Sequence, residues 1–517
     1  MVPTLSETLL FIGPAFFLLY VLNRLFKTRG VTAAGNLGHL WDVKEDHHWN
    51  QNALLAEASF CNVCENLILT GGLLCECCGL VSDDKCLDVA IRKFKCKSRI
   101  GSKLGLLHHW IKGNFERPTL CDVCNEDCGN DPSLSDYQCV WCQRSVHKNC
   151  FSSMTVQCDL GSLKKCIVPP NCFTVKGNRK KVVVKIDKPE WEIDWLPILV
   201  FANSESGSAE AVSVLAKARR LLNPLQCIDM KQSSPRQVIN SWCHLLYPVV
   251  PRILVAGGDG SVSWMLGEID RLKLQNPPAV AVLPLGTGND LSRVLNWGSV
   301  PEEEDLKGVM LRVANAQEDL IDRWQIVVSP IRHLGIRPPT KKVEFTNYFS
   351  IGVDALITLN FHRARQSSMY PFKSRILNKI LYLTYGTKDV IEHSCDGLEK
   401  KVALHLDGVH IQLPEIESIV LLNIECWGGG AKPWKLGNFE EASYNDGKIE
   451  VFGITSSFHI AQMQVGLSSP IRFGQANTVK IVLRGLVPAQ ADGEPWEQQP
   501  ADITVTNISK SKILHQN

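Results

Sequence analysis

The spacing of cysteine and histidine constrains this chain more than any other feature. Sixteen of its 20 cysteines lie between Cys61 and Cys172. Such clustering means either a disulfide framework or metal sites. Histidines recur among the cysteines at fixed offsets, which disulfides would leave unexplained. From His108 the ligand-type residues are separated by twelve (Cys121), two (Cys124), fourteen (Cys139), two (Cys142), four (His147), two (Cys150) and seven residues (Cys158). Each Cys-x-x-Cys turn can aim two thiolates at one ion, and eight soft ligands supply two tetrahedral zinc sites. Cys128 fits no ligand position. Zinc thiolates suit a reducing compartment, so this part of the chain is expected in the cytosol.

A looser copy precedes it: His48, Cys61, Cys64, Cys75, Cys78, Asp83, Cys86 and Cys96. Asp83 stands where the pattern expects histidine, and a carboxylate can also ligate zinc. His47 could replace His48, and Cys77 could compete with a neighbour. Two small zinc-stabilised α+β modules are therefore expected, at 46–97 (atypical) and 107–159. Modules this small depend on metal to fold. Lipid binding and a purely structural use both stay open for them.

The chain of 517 residues is too long for one core, and length predicts about three or four domains. A net charge of +2 gives no support to nucleic-acid binding. Leu9 to Leu22 form an apolar run containing Pro14, followed by Arg24, Lys27 and Arg29. The charge follows the run instead of preceding it, so residues 1–30 read as a membrane anchor and not as a secretory signal. Its positive flank places everything after it in the cytosol. Pro14 leaves a re-entrant or surface-lying segment open. Residues 160–194 read as a basic linker (Lys176, Arg179, Lys180, Lys181, Lys185) able to meet an anionic lipid surface.

From 195 to 335 strand-like and helix-like runs alternate, which predicts an α/β domain with a parallel sheet covered on both faces. Strands are expected at Leu196 to Ala202, Ile253 to Ala256 and Ala279 to Leu283. A glycine-containing loop follows each: Asn203 to Ser208 with Gly207, Gly257-Gly258-Asp259-Gly260, and Leu285-Gly286-Thr287-Gly288-Asn289-Asp290. Open parallel sheets bind ligands outside the carboxyl ends of their strands. Glycine lets backbone N–H groups approach phosphate oxygens. Neither the dinucleotide fingerprint nor the P-loop is present in these loops. Asn203, Gly207, Gly257, Gly258, Asp259, Gly260, Gly286, Thr287, Gly288 and Asn289 are the candidate nucleotide-binding residues. Asp259 and Asp290 would repel a triphosphate unless a cation intervened, so they are candidate catalytic residues holding Mg²⁺ against ATP.

Residues 340–510 read as a β-rich accessory domain, with Asp407-Gly408 as a two-residue hairpin turn. Near its end stands Gln490-Ala491-Asp492-Gly493-Glu494-Pro495-Trp496. The glycine loops together with this motif resemble the diacylglycerol kinases, whose catalytic domain is shared with sphingosine and ceramide kinases. The zinc pattern resembles the phorbol-ester/diacylglycerol-type zinc domain. That resemblance implies one zinc on His108, Cys139, Cys142 and Cys158, and another on Cys121, Cys124, His147 and Cys150. It also implies ATP-dependent phosphorylation of a membrane diacylglycerol to phosphatidic acid, with Asp492 as general base and Glu494 as its metal-side or positioning partner. An apolar N-terminus, two zinc modules and an uninterrupted kinase region resemble the epsilon type. This type prefers arachidonoyl species, and the segment Asn360 to Asp389 is the place to look for acyl contacts. Endoplasmic reticulum or plasma membrane would hold the anchor. A kinase for another lipid alcohol and a catalytically silent membrane scaffold are the competing readings.

Overall fold

A computed structural model describes residues 47–51, 59–69, 71–101, 105–115, 119–129, 134–176, 182–191, 194–204, 209–300, 305–331, 339–366, 395–434 and 441–516. The expected anchor at 1–30, Gly207 and most of the segment to Asp389 lie outside them. Among the described residues no helix is long and apolar enough to cross a membrane.

The α/β region begins with β1 (Ile198–Ala202), α1 (Ala209–Leu221), β2 (Cys227–Asp229), α2 (Pro235–Leu246), β3 (Arg252–Gly257), α3 (Asp259–Leu272) and β4 (Val280–Pro284). β1 and β4 are buried along their whole length. Unbroken apolar runs of this kind suit strands covered on both faces. α2 starts with Pro235 in its first turn behind Ser234, where a missing N–H costs nothing. The first four strands are parallel in the order β2-β1-β3-β4. The chain turns one way from β1 to β2 and the other way to β3, so the carboxyl ends of β1 and β3 flank a topological switch point.

The chain continues through α4 (Asp290–Val294), α5 (Leu306–Asn315), β5 (Gln317–Pro330), β6 (Lys341–Phe345), β7 (Tyr348–Gly352) and α6 (Val353–Gln366). After these come β8 (Val402–Leu406), β9 (Val409–Ile411), β10 (Ser418–Leu422), β11 (Ile449–Ile454), α7 (Ser457–Gln464), β12 (Ile471–Ala476) and β13 (Thr478–Leu483). β14 (Val487–Ala491), β15 (Glu494–Gln498) and β16 (Ala501–His515) complete it. β16 pairs with β5 from Gln317↔His515 to Pro330↔Ala501, and its end joins β4 in parallel at Val280↔Ile513. One ten-stranded sheet therefore runs from the parallel strands into the accessory region. The expected division near 335–340 is crossed by this ladder, because the last strand of the chain returns to the first domain. A six-stranded antiparallel sheet, β12-β11-β10-β7-β14-β15, faces part of it. Trp324, Ile326, Phe349, Ile419, Ile481 and Ile503 fill the space between the two sheets.

The stretch expected as a basic linker is packed instead. Cys166, Ile167 and Val168 are fully buried, and Phe173–Lys176 pairs antiparallel with Val182–Ile186 against α2. Its apolar half was decisive: burying Ile167, Val168 and Phe173 outweighs the solubility of its lysines. Each zinc module carries a three-stranded sheet, and the first also has the helix Leu87–Lys93. Both modules join the core of the α/β region, with Cys75, Cys139 and Trp141 in the same cluster as β1 and β3.

Candidate active site and zinc centres

The two glycine loops after β3 and β4 meet backbone to backbone. A Cβ on Gly286 would lie 2.6 Å from the Gly258 Cα, and Leu285 N–H donates to the Gly257 carbonyl at 3.0 Å. Only glycine permits that approach. Asn289, at φ 53°, braces the second loop: its Oδ1 accepts from Gly286 N–H (2.9 Å) and its Nδ2 donates to the Gly286 and Ser299 carbonyls. The side chain of Asn289, expected among the nucleotide-binding residues, is thus committed within the loop, which it braces. Thr287 is exposed at the tip, and Asn203 is half-buried at the end of β1. Ser204 next to it donates to Asp229 at 2.8 Å, tying together the loops after β1 and β2.

Asp259 opens α3, and its carboxylate accepts the N–H groups of Asp290 (3.0 Å) and Leu291 (3.1 Å). Asp290 is buried and accepts from Gly429 N–H at 3.0 Å. Both carboxylates converge: a Cβ on Gly288 would stand 3.5 Å from Asp259 Oδ2 and 3.6 Å from Asp290 Oδ2. Burial, then repulsion from Asp290, pushes Asp259 up to about 7. Burial likewise raises Asp290, against the amide of Gly429. Two hard oxygen donors that resist ionising side by side are the donor set a small divalent cation relieves. Gly428, Gly429 and Gly430 all have positive φ, and sequence reasoning passed over them. Three consecutive glycines soon after a strand were the available signal.

The accessory region returns to this crevice through the hairpin of β14 and β15. Asp492 (φ 48°) and Gly493 (φ 84°) form its two-residue turn, as Asp407 and Gly408 do between β8 and β9. The Asp492 carboxylate accepts the N–H groups of Thr346 (2.8 Å), Asn347 (2.8 Å) and Tyr348 (3.1 Å). These occupy three of its roughly four lone-pair sites. The carboxylate expected as general base is therefore held as the anchor of this turn. Glu494 is exposed, and its Oε1 lies 3.4 Å from where a Cβ on Gly260 would stand, over the first turn of α3. Arg323, also unforeseen, locks the hairpin's support to α3. It is buried at a register shift in β5, where it donates to Ser263 Oγ (3.3 Å) and to Thr346 Oγ1, and faces Asp270 at 3.5 Å.

The second zinc module assembles both expected sets, His108/Cys139/Cys142/Cys158 and Cys121/Cys124/His147/Cys150, with ligand atoms within 4.8 Å of one another. The first module differs in two ligands. Its sets are His47/Cys75/Cys78/Cys96 and Cys61/Cys64/Cys86. His47 Nδ1 lies 3.5 Å from Cys78 Sγ, while His48 is drawn aside to Glu76 at 3.0 Å. Asp83 is corrected as well: its carboxylate caps the next turn, accepting from Lys85 N–H at 2.9 Å. The Cys75–Cys96 and Cys139–Cys158 sulfur separations are 3.7 and 3.9 Å. A tetrahedral site with bonds of about 2.3 Å has sulfur–sulfur edges of about 3.8 Å, so the donors fit zinc. His47 and His147 point their outer nitrogens at the Phe94 and Asp127 carbonyls, both at 3.0 Å, which orients the rings. Burial raises Cys121, but the amides of Cys124, His147 and Val123 outweigh it and bring the thiol down to about 6.

Comparison with known proteins agrees with this layout. Residues 197–322 match the diacylglycerol kinase catalytic domain, 344–495 the diacylglycerol kinase accessory domain, and 108–161 the phorbol esters/diacylglycerol binding (C1) domain. The chain is 31% identical to "Probable diacylglycerol kinase 3" of Caenorhabditis elegans over 92% of its own length and 65% of that protein. It is 39% identical to human "Diacylglycerol kinase theta" over 60% of its length and 34% of that protein. To "Diacylglycerol kinase 1" of Arabidopsis thaliana it is 28% identical, over 85% and 78%. It thus spans between a third and two thirds of the length of the first two relatives. Its residues 197–322 and 344–495 are thus similar to the paired catalytic and accessory domains of the diacylglycerol kinases, and the two meet at one sheet-end crevice.

Proposed function

We propose that the chain transfers the γ-phosphoryl group of ATP to the free hydroxyl of a 1,2-diacylglycerol, giving phosphatidic acid. The observation that carries this reading is the meeting of the Gly258 and Gly286 loops beneath the Glu494 carboxylate. Backbone N–H groups of these loops would receive the phosphates, helped by the positive end of α3. Asp259 and Asp290 would hold Mg²⁺, which would neutralise phosphate charge. Glu494 accepts the hydroxyl proton as the lipid oxygen bonds to phosphorus and the bridging oxygen leaves with ADP. Asp492 fixes the turn that presents Glu494. Zinc fills the thiolate clusters. The order of apolar N-terminus, two zinc modules and unsplit kinase region supports the epsilon type. With it come an arachidonoyl preference and attachment to endoplasmic reticulum or plasma membrane, the catalytic region facing the cytosol.

Labelled ATP with micelles of diacylglycerol, monoacylglycerol or sphingosine tests the reaction and the acceptor together. Labelled phosphatidic acid is expected; product only from another lipid alcohol, or none from any, refutes the assignment. Glu494→Gln is expected to lower kcat by about 10²-fold or more with the KM for ATP retained. A Glu494→Gln enzyme with wild-type kcat removes it as the base.

A further inference from the structure

Both zinc modules seize the far end of the helix that leads out of the first site loop. The last carbonyls of any α-helix lack partners within the helix, and a cation there also meets the negative end of the helix dipole. In α1 those carbonyls are taken by the zinc modules. Lys97, next to the ligand Cys96, is 1% exposed. Its Nζ donates to the carbonyls of Arg220 (2.7 Å) and Arg219 (3.3 Å). The same Nζ stands 4.5 Å over the ring of Trp141, between the second module's ligands Cys139 and Cys142. Gln143 of that module donates to the Arg220 carbonyl at 3.2 Å. Glu76, between Cys75 and Cys78, is buried and meets the Arg219 guanidinium at 2.5 Å. Buried ammonium and carboxylate groups spent on one helix end are costly to desolvate, and removing a partner exposes that cost.

α1 also packs along β1, whose carboxyl end leads into Asn203. Ala211, Leu215 and Ala218 press the helix onto the sheet. A helix of this length is a stiff rod of about 20 Å, so a clamp at its last turn sets where its first turn lies.

We infer that Lys97, with Glu76 and Gln143, is a positioning residue for the nucleotide: the zinc modules hold α1, and α1, packed along β1, holds the carboxyl end of that strand with Asn203 in place. This rests on the reading of Asn203 as part of the ATP site. It gives the zinc modules a part in ATP binding separate from any contact with lipid.

The test uses the full zinc-loaded chain. In Lys97→Met the KM for ATP and the affinity for a fluorescent ATP analogue are expected to weaken about three- to tenfold. The KM for diacylglycerol, kcat per folded molecule and zinc content are expected to stay as in wild type. Lys97→Arg, whose guanidinium can reach the same carbonyls, is expected to recover most of the loss. Should Lys97→Met not fold, Arg219→Met removes the Glu76 contact from the helix side and is read in the same way. Unchanged ATP affinity in a folded variant overturns the inference. So does an equal loss towards both substrates, which marks a merely structural role. Wild-type protein that binds no ATP analogue refutes the functional reading itself.

Discussion

Gly286→Ala probes the contact on which the active site depends. Its methyl would stand 2.6 Å from the Gly258 Cα and 2.7 Å from Asn289 Oδ1. Carbon atoms pack at about 3.5–4.0 Å, so each neighbour must retreat by about 1 Å. Neither yields easily: the first is backbone at the start of α3, and the second is the brace bonded to Gly286 N–H at 2.9 Å. Overpacking costs roughly 1–3 kcal/mol, and loosening the brace adds about 1 kcal/mol. The larger effect is on rate, since a shift of about 1 Å in a reacting geometry can cost on the order of 10²-fold. Initial rates with diacylglycerol micelles, beside thermal melts, measure both. Gly288→Ala is the control for fold, because its methyl makes ordinary contacts at 3.5 and 3.6 Å with Asp259 and Asp290. It should melt like wild type while raising the Mg²⁺ concentration needed for activity. A Gly286→Ala protein with wild-type melting and turnover would falsify the picture of two loops in contact.

Asp492→Asn puts an amide NH₂ where backbone N–H groups converge, and should destabilise the β14–β15 turn by about 1–3 kcal/mol; a melt equal to wild type counts against its anchoring role. Zinc content separates the first module's ligands: His47→Ala and Cys86→Ser should lose metal, whereas His48→Ala and Asp83→Ala should keep it. Loss of zinc from Asp83→Ala would restore Asp83 as a ligand. Glu450 is fully buried, and burial pushes its carboxyl from 4.5 up to about 8. Its folded value lies above its unfolded one, so the protonated form is favoured in the fold. Stability is full below pH 4.5, falls as pH rises towards 8 and levels off above, by on the order of 5 kcal/mol. Glu450→Gln should flatten that slope in melts from pH 5 to 8, and an unchanged slope refutes the assignment.

Local chemistry made much of this protein legible in its sequence. The strands at Ile198–Ala202 and Val280–Pro284 announce themselves as apolar runs, the Asp407-Gly408 turn by residue type, and the second zinc module by spacing alone. The strands and the turn rest on forces acting within a few residues, and the module on ligand residues whose offsets the chain itself carries. What tertiary structure decided are choices between near-equals. His47 and His48 are adjacent, and Glu76, already committed to Arg219 of α1, draws His48 away from the metal. Asp492 and Glu494 are two residues apart in one motif, yet the three amides of Thr346 to Tyr348 absorb the first and leave the second facing Gly260. The return of β16 to β4 and the clamp of Lys97 on α1 join residues more than 100 positions apart, and buried Arg323 reaches Thr346 and Ser263, 23 and 60 positions away. Spacing and propensity hold no information about such partners, because which groups share a crevice is set only when the whole chain has packed.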